Sequence, residues 1–303
     1  MFTRLKHRRL ERRARQHRQI KTLLRVETLE TGLLNSSPLT INADSPDGPI
    51  VSLTSFGPRV QTVHLSIESL LQQTVRPSRI ILWLTEADFS SPLPQFLKWL
   101  VDRGVEIKST PDDLRSYKKF YYTLQDNPSS VIITADDDVI YPRTFIEGLL
   151  RAHTLEPELV HCYRAHRLEL NDTSGLKPYN SWPAVVDPEE GLDVFPTGNC
   201  GVLYPPGCFG PQVFDKELFL KLCPLADDVW LKANTLLTNT PCKVIPSGLN
   251  WKDQFLTVPG SQQISLKSRN TKGANLNDRQ LQETFSHFDL FSLLQGPKGK
   301  SSL

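Results

Sequence analysis

Three consecutive carboxylates, Asp136, Asp137 and Asp138, close an apolar run, Val131-Ile132-Ile133-Thr134-Ala135. Adjacent carboxylates repel one another, and each must be solvated or matched by a cation. An apolar run without alternation, bounded by polar residues, reads as a buried strand. The acids then stand at its carboxyl end, where open α/β sheets take their ligands. In an extended chain Asp136 and Asp138 point to the same side. Such a pair suits a hard divalent cation shared with a substrate phosphate, although a solvated acidic turn is the plainer reading. A second acidic pair, Asp227-Asp228, opens a helical pattern that runs to Leu237. A helix N-terminus keeps a carboxylate ionised and able to accept a proton. The plainer reading here is a capping Asp227 with Asp228 in the first turn.

These stretches carry a resemblance. The strand followed by Asp136-Asp137-Asp138-Val139-Ile140-Tyr141-Pro142 resembles the Asp-x-Asp motif of glycosyltransferases with the GT-A fold. Val51-Ser52-Leu53-Thr54-Ser55-Phe56 is similar to the first nucleotide-binding strand of the inverting family 2 enzymes, and Leu225-Ala226-Asp227-Asp228-Val229-Trp230-Leu231 to their late acidic motif. The three follow in the family's order over roughly residues 48–246, with a weaker match to about residue 289.

The resemblance implies an α/β, GT-A (Rossmann-like) domain with a mixed, mostly parallel central sheet flanked by helices. It implies Mn²⁺ or Mg²⁺ on Asp138 and Asp136, with Asp137 nearer the nucleotide. Asp228 would be the catalytic base, with Asp227 in reserve. Nucleotide contacts are expected from Thr54, Ser55, Phe56 and Arg59, from Asp112, and from Lys118 and Lys119. Lys118 and Lys119 are equally readable as a solvated helix face. The family often has a Gly-rich segment where this chain has Tyr117-Lys118-Lys119. On the acceptor side, the loop Thr197-Gly198-Asn199-Cys200-Gly201 offers Asn199, and Trp182 offers a broad face for a sugar or an ordinary packing ring. The implied activity is inverting, metal-dependent transfer of a sugar from a nucleotide donor, with UDP the expected nucleotide, to a glycan or lipid-linked acceptor. Bacterial surface-polysaccharide assembly is the implied setting. Two alternatives stay open: a nucleotidyltransferase, and a non-catalytic glycan-binding protein on the same fold.

The elements that must position these residues can be read from periodicity. Strands are expected at residues 50–54, 79–84, 105–108, 130–134, 201–204 and 242–245, and a strand pair at 159–163 and 167–170. Helices are expected from Pro58 to Leu71, then at 93–100, 113–125, 142–153, 215–222, 226–237 and 278–294, with Asp215 as an N-cap. Residues 171–196 read as a long loop over the sheet. Alternation of strands and helices implies a parallel sheet with right-handed crossovers. His161, Cys162 and His166 do not make a zinc set, because neighbouring strand residues face opposite ways and no fourth ligand is near.

A chain of 303 residues can bury a sizeable core. Its net charge of +2 hides an asymmetry: ten Lys or Arg face the single acid Glu11 in residues 1–25, so the rest is net acidic. Residues 1–34 therefore read as a basic arm, helical or disordered, suited to anionic lipid or an acidic partner. Apart from Phe2, aromatic residues do not interleave with its charges, and nucleic acid is not the expected partner. Residues 35–48 read as a linker, 49–294 as the transferase domain, 261–277 as a polar mobile segment and 295–303 as a disordered tail. The basic run is not followed by the apolar stretch of a signal peptide. The five scattered cysteines fit a reducing cytoplasm, with contact at the inner membrane face through the arm.

Overall fold

The computed structural model describes residues 2–35, 39–45, 47–90, 92–172, 175–186, 188–246, 251–261 and 276–294. The expected tail at 295–303, residues 262–275 of the polar segment, and residues 36–38 and 46 of the linker lie outside the described residues.

The main sheet is built on β1 (Ile50–Thr54), β2 (Arg79–Thr85), β3 (Glu106–Thr110) and β4 (Ile132–Thr134). These pair in parallel in the order β3-β2-β1-β4. Chain order runs outward from β1 to β3 and then returns to the other side of β1 for β4. The crevice between β1 and β4 is therefore a topological switch point, where such sheets bind ligands. Beyond β4 the sheet continues through β11 (Val202–Tyr204), β6 (Val160–Cys162), β12 (Cys242–Val244) and the short β9 (Glu190–Gly191). The strand β11 runs antiparallel to β4 and β6, while β6 and β12 are parallel to each other. The result is the expected α/β fold: a large mixed central sheet, mostly parallel where the site lies, flanked by helices in the Rossmann-like manner.

Both faces are covered, which is why β1, β2 and β4 consist of apolar runs rather than alternating patterns. On one face, Val51 and Leu53 of β1 pack with α2 (Val63–Leu71), α4 (Gln95–Val101) and α6 (Phe145–Leu155), while the short α3 (Glu86–Ser90) follows β2. On the other, α5 (Lys118–Asp126), α7 (Lys216–Leu222) and α8 (Asp227–Leu237) share a cluster centred on Tyr117, Phe120, Phe219 and Trp230. Ser52 looks toward α5, where its hydroxyl meets that of Thr123 at 2.7 Å. The basic N-terminal segment is a helix, α1 (Phe2–Leu34), whose last turns bury Leu29 and Leu33. Among the described residues no helix is long and apolar enough to cross a membrane.

Several elements differ from the periodicity reading. Residues 159–163 and 167–170 do not pair with each other. Instead β7 (Ala165–Arg167) leaves the main sheet and joins β8 (Ala184–Val185) and β10 (Val194–Pro196) in a small antiparallel sheet. The long loop at 171–196 thus contains strands too short to show a period. The helix expected from Pro58 splits into a 3-10 turn, Gly57–Gln61, and α2. Residues 113–125 split likewise at Arg115, whose φ of 53° no α-helix accommodates. The last helix is broken by Asp289 at φ 52°, giving Leu276–His287 and Leu290–Leu294. Two further strands, β5 (Val139–Ile140) and β13 (Leu256–Thr257), pair directly after the acidic triplet.

Candidate active site

The triplet lies where its sequence position implied, just beyond β4. The Ala135 amide still pairs with the Ser52 carbonyl at 2.9 Å, and then the chain leaves the sheet. The β5–β13 pairing fixes its far side, with the Val258 amide on the Asp138 carbonyl at 2.9 Å. The Tyr141 hydroxyl accepts from the Asp136 amide at 2.7 Å. The turn is thus held by backbone bonds on both flanks, leaving its carboxylates to face other groups.

The carboxylates divide between two cations, Asp137 and Asp138 on Arg59 and Asp136 on Lys119. The Ser55 hydroxyl, at the end of β1, donates to Asp137 Oδ2 at 2.6 Å across the switch-point crevice. Arg59 Nη2 lies 2.6 Å from Asp137 Oδ1 and 2.8 Å from Asp138 Oδ2. Lys119 Nζ lies 2.7 Å from Asp136 Oδ1 and 3.3 Å from Asp227 Oδ2. Through this one buried ammonium the late acidic pair and the triplet come together in one recess. Ala226 is the N-cap of α8, so Asp227 and Asp228 both stand in its first turn. Neither caps the helix with its side chain; Asp228 Oδ1 accepts from the adjoining Val229 amide at 3.0 Å.

The charge balance shapes the ionisation. Burial, reinforced by Asp138 and Asp136, pushes the Asp137 carboxyl up to about 7 against the pull of Arg59 and Ser55. Burial and the neighbouring Asp227 push Asp228 up to about 7, opposed by Lys119 and the Val229 amide. Burial disfavours the Lys119 ammonium, yet Asp136 and Asp227 hold its pKa above the ordinary value. Among the described residues, Arg59 and Lys119 pair with Asp136, Asp137, Asp138 and Asp227. Carboxylate oxygens of this kind suit Mg²⁺ or Mn²⁺, and Asp138 and Asp136 are the residues that could hold it. Among the described residues no three His, Cys, Asp or Glu side chains converge as a ligand set. A cation here would take its remaining oxygens from a phosphate or water.

The other expected residues divide. Thr54 turns its hydroxyl back to the Trp83 carbonyl at 2.8 Å. Phe56 is half-buried beneath Arg59, whose guanidinium carbon lies 5.6 Å from its ring centroid. Lys118 is buried and directed to Asp113 at 2.9 Å rather than to the triplet. Asp112 pairs with Lys216 of α7 at 2.6 Å. Asn199 is exposed on the loop before β11. That loop approaches the recess, since a Cβ on Gly198 would lie 3.5 Å from Lys119 Nζ. Its last turn requires glycine: Gly201 has φ +81°, and a Cβ there would meet the Phe145 ring and lie 3.2 Å from the Thr134 carbonyl.

Trp182 corrects the acceptor expectation. It is 4% exposed, packs against Tyr179 and Phe195, and donates its indole N–H to the Lys177 carbonyl at 3.0 Å. Its faces are covered by protein and cannot stack on a sugar. The sequence reading missed Tyr141, and also Arg164, which follows β6 at the same end of the sheet. Arg164 donates to Thr197 at 3.1 Å and stacks on Trp251 at 4.6 Å. The run Tyr163-Arg164-Ala165-His166-Arg167, basic directly after a buried strand, was the available signal.

The fold and recess define a Rossmann-like α/β protein with an acidic site at the switch point of its sheet. No family model matches the chain, and no curated protein matches it. Among solved structures, it is similar to 4-diphosphocytidyl-2C-methyl-D-erythritol synthase from Anaerococcus prevotii, at 10% identity and TM-score 0.44, over 71% of this chain and 94% of that one. It is similar also to the inositol-1-phosphate CTP transferase from T. maritima, at 9% identity and TM-score 0.42, over 82% and 96%. A third is HddC from Yersinia pseudotuberculosis complexed with GMP-PN, at 15% identity and TM-score 0.33, over 53% and 78%. At TM-scores this low the likeness carries no argument, and the fold statement rests on the sheet itself.

Proposed function

We propose that this protein is a transferase acting on a nucleotide-linked donor, and specifically a glycosyltransferase that inverts the anomeric carbon. The observation that carries the reading is Lys119 bridging Asp136 and Asp227 at 2.7 and 3.3 Å. It sets a candidate proton acceptor in the same recess as the candidate diphosphate site. Glycosyl transfer needs both: a stabilised leaving diphosphate and deprotonation of an acceptor hydroxyl. A divalent cation on Asp138 and Asp136 would supply Lewis-acid neutralisation of the phosphate oxygens. Asp228, with its pKa near 7, is tuned to accept the hydroxyl proton. Lys119 keeps Asp136 and Asp227 from repelling one another and holds α8 against the triplet. Ser55 fixes the buried Asp137 and so the geometry of the turn.

Nucleotidyl transfer is the second reading. The solved structures this chain is similar to include a CTP transferase, a likeness that at TM-score 0.42 carries no weight. The site favours the first reading. A phosphate nucleophile is already ionised and needs no base such as Asp228. A nucleoside triphosphate would call for a Gly-rich, basic loop after β1, and in Thr54-Ser55-Phe56-Gly57-Pro58-Arg59 the single cation is engaged by Asp137 and Asp138. A non-catalytic glycan-binding role predicts instead that loss of Asp228 leaves function unchanged.

The test is the leaving group. Incubated with Mn²⁺ and a panel of nucleotide-sugars, the protein releases a nucleoside diphosphate. Release of pyrophosphate from a nucleoside triphosphate and a sugar phosphate would establish the second reading instead.

A further inference from the structure

Arg59 stands on the 3-10 turn after β1 with its side chain 10% exposed. A single nitrogen, Nη2, serves both Asp137 and Asp138. Its Nε is buried and has no hydrogen-bond partner among the described residues. A buried donor without an acceptor is costly. A guanidinium holds planar, fork-shaped acceptors such as carboxylate and phosphate by two nitrogens at once. Here one nitrogen spans two carboxylates and Nε is left unmet among the described residues. A divalent cation on Asp138 would sit within a few ångströms of this guanidinium, and the two like charges would compete for the same carboxylate.

We propose that Arg59 is a built-in counter-ion that a bare divalent cation cannot readily displace, and that a nucleotide diphosphate draws off Asp138 as cation and nucleotide enter together. Asp137, buried and held by Ser55, keeps the arginine within the recess during the exchange. The unmet Nε and the freed edge then have phosphate oxygens to bind. The inference rests on the metal–diphosphate reading of the site and adds an order to it. Cation and nucleotide become mutually dependent ligands, and because binding coupling is reciprocal, each tightens the other by the same factor.

The test is titration of the full chain with Mn²⁺, followed by electron paramagnetic resonance, with and without UDP. The wild-type protein binds Mn²⁺ weakly alone, and UDP tightens it by about tenfold or more. Arg59→Gln binds Mn²⁺ alone about tenfold more tightly than wild type and loses most of the UDP effect. A merely structural arginine would give the opposite sign, since its loss would loosen the site. Arg59→Lys keeps the charge but not the fork, and falls between the two; if Arg59→Gln lacks a cooperative thermal transition, the lysine variant decides. Mn²⁺ affinity unchanged or weakened in these variants, with UDP-dependent binding in wild type, overturns the role of Arg59 alone. Failure of the wild type to bind Mn²⁺ with UDP, CDP or GDP overturns this role and the metal–diphosphate reading together.

Discussion

Lys119 and Asp227 meet at 3.3 Å, although one stands in the first turn of α5 and the other opens α8 far along the chain. The same ammonium is 2.7 Å from Asp136. Removing it leaves two partly buried acids facing each other without a cation. Lys119→Met should cost about 3 kcal/mol of stability, as loss of one partner from a buried pair does. It should also lower turnover by about 10²-fold, and move the Asp228 titration further upward, because Lys119 opposes the rise. Denaturant melts and a pH–rate profile check the three effects together.

Asp228 gives the account its pH dependence. As a base it acts when ionised, so the rate should fall by about tenfold per pH unit below about 7 and level off above it. Asp228→Asn should lower kcat by about 10³-fold. The stability effect has the opposite sense to that of a salt-bridged acid. The folded pKa lies above the ordinary value of 3.8, so the folded chain keeps the proton longer than the unfolded chain. Its contribution is full below the unfolded value and is lost as pH rises through about 7. Thermal melts from acid to neutral pH should therefore show a shallower decline in Asp228→Asn than in wild type.

Trp182 should behave as a core residue. Trp182→Ala should destabilise by about 3 kcal/mol or more, while KM for the acceptor in the surviving folded fraction stays near that of wild type. A rise in acceptor KM without loss of stability would restore it to the acceptor site.

The helix α1 exposes Leu10, Ile20, Leu23 and Leu24 beside basic residues such as Arg9 and Arg13. Peripheral contact with anionic lipid is proposed on that ground, each basic residue near such a surface contributing about 1 kcal/mol. The protein should co-sediment with phosphatidylglycerol vesicles at low salt and be released at high salt. Charge reversal at Arg9, Arg12 and Arg13 should abolish the effect. Equal binding to neutral vesicles would count against it.

Much of this arrangement was legible in the chain. The strand β4 announces itself because a strand buried on both faces has no alternation to hide its apolar run, and the acids after it could not be buried there unpaired. The order of β1, β4 and α8 followed from motif and periodicity together. What was not legible depends on contacts between distant residues. Nothing local told that Arg59 would bridge Asp137 and Asp138, or that Lys118 would turn to Asp113 while Lys119 reached Asp136. Nor could the two-residue strands β5 and β13 show a period, though their pairing braces the triplet. Trp182 is the instructive error: an aromatic ring in a Pro- and Gly-rich stretch suits a binding face and a packed core equally, and only its neighbours decide.

The central claim is that the acids beyond β4 hold a nucleotide diphosphate through a divalent cation. Calorimetric titration of UDP in the presence and absence of Mn²⁺, on wild type and on Asp138→Ala, tests it most directly. The account predicts metal-dependent binding in the wild type and its loss, by about tenfold or more, in the variant. Metal-dependent UDP binding undiminished in Asp138→Ala would contradict it.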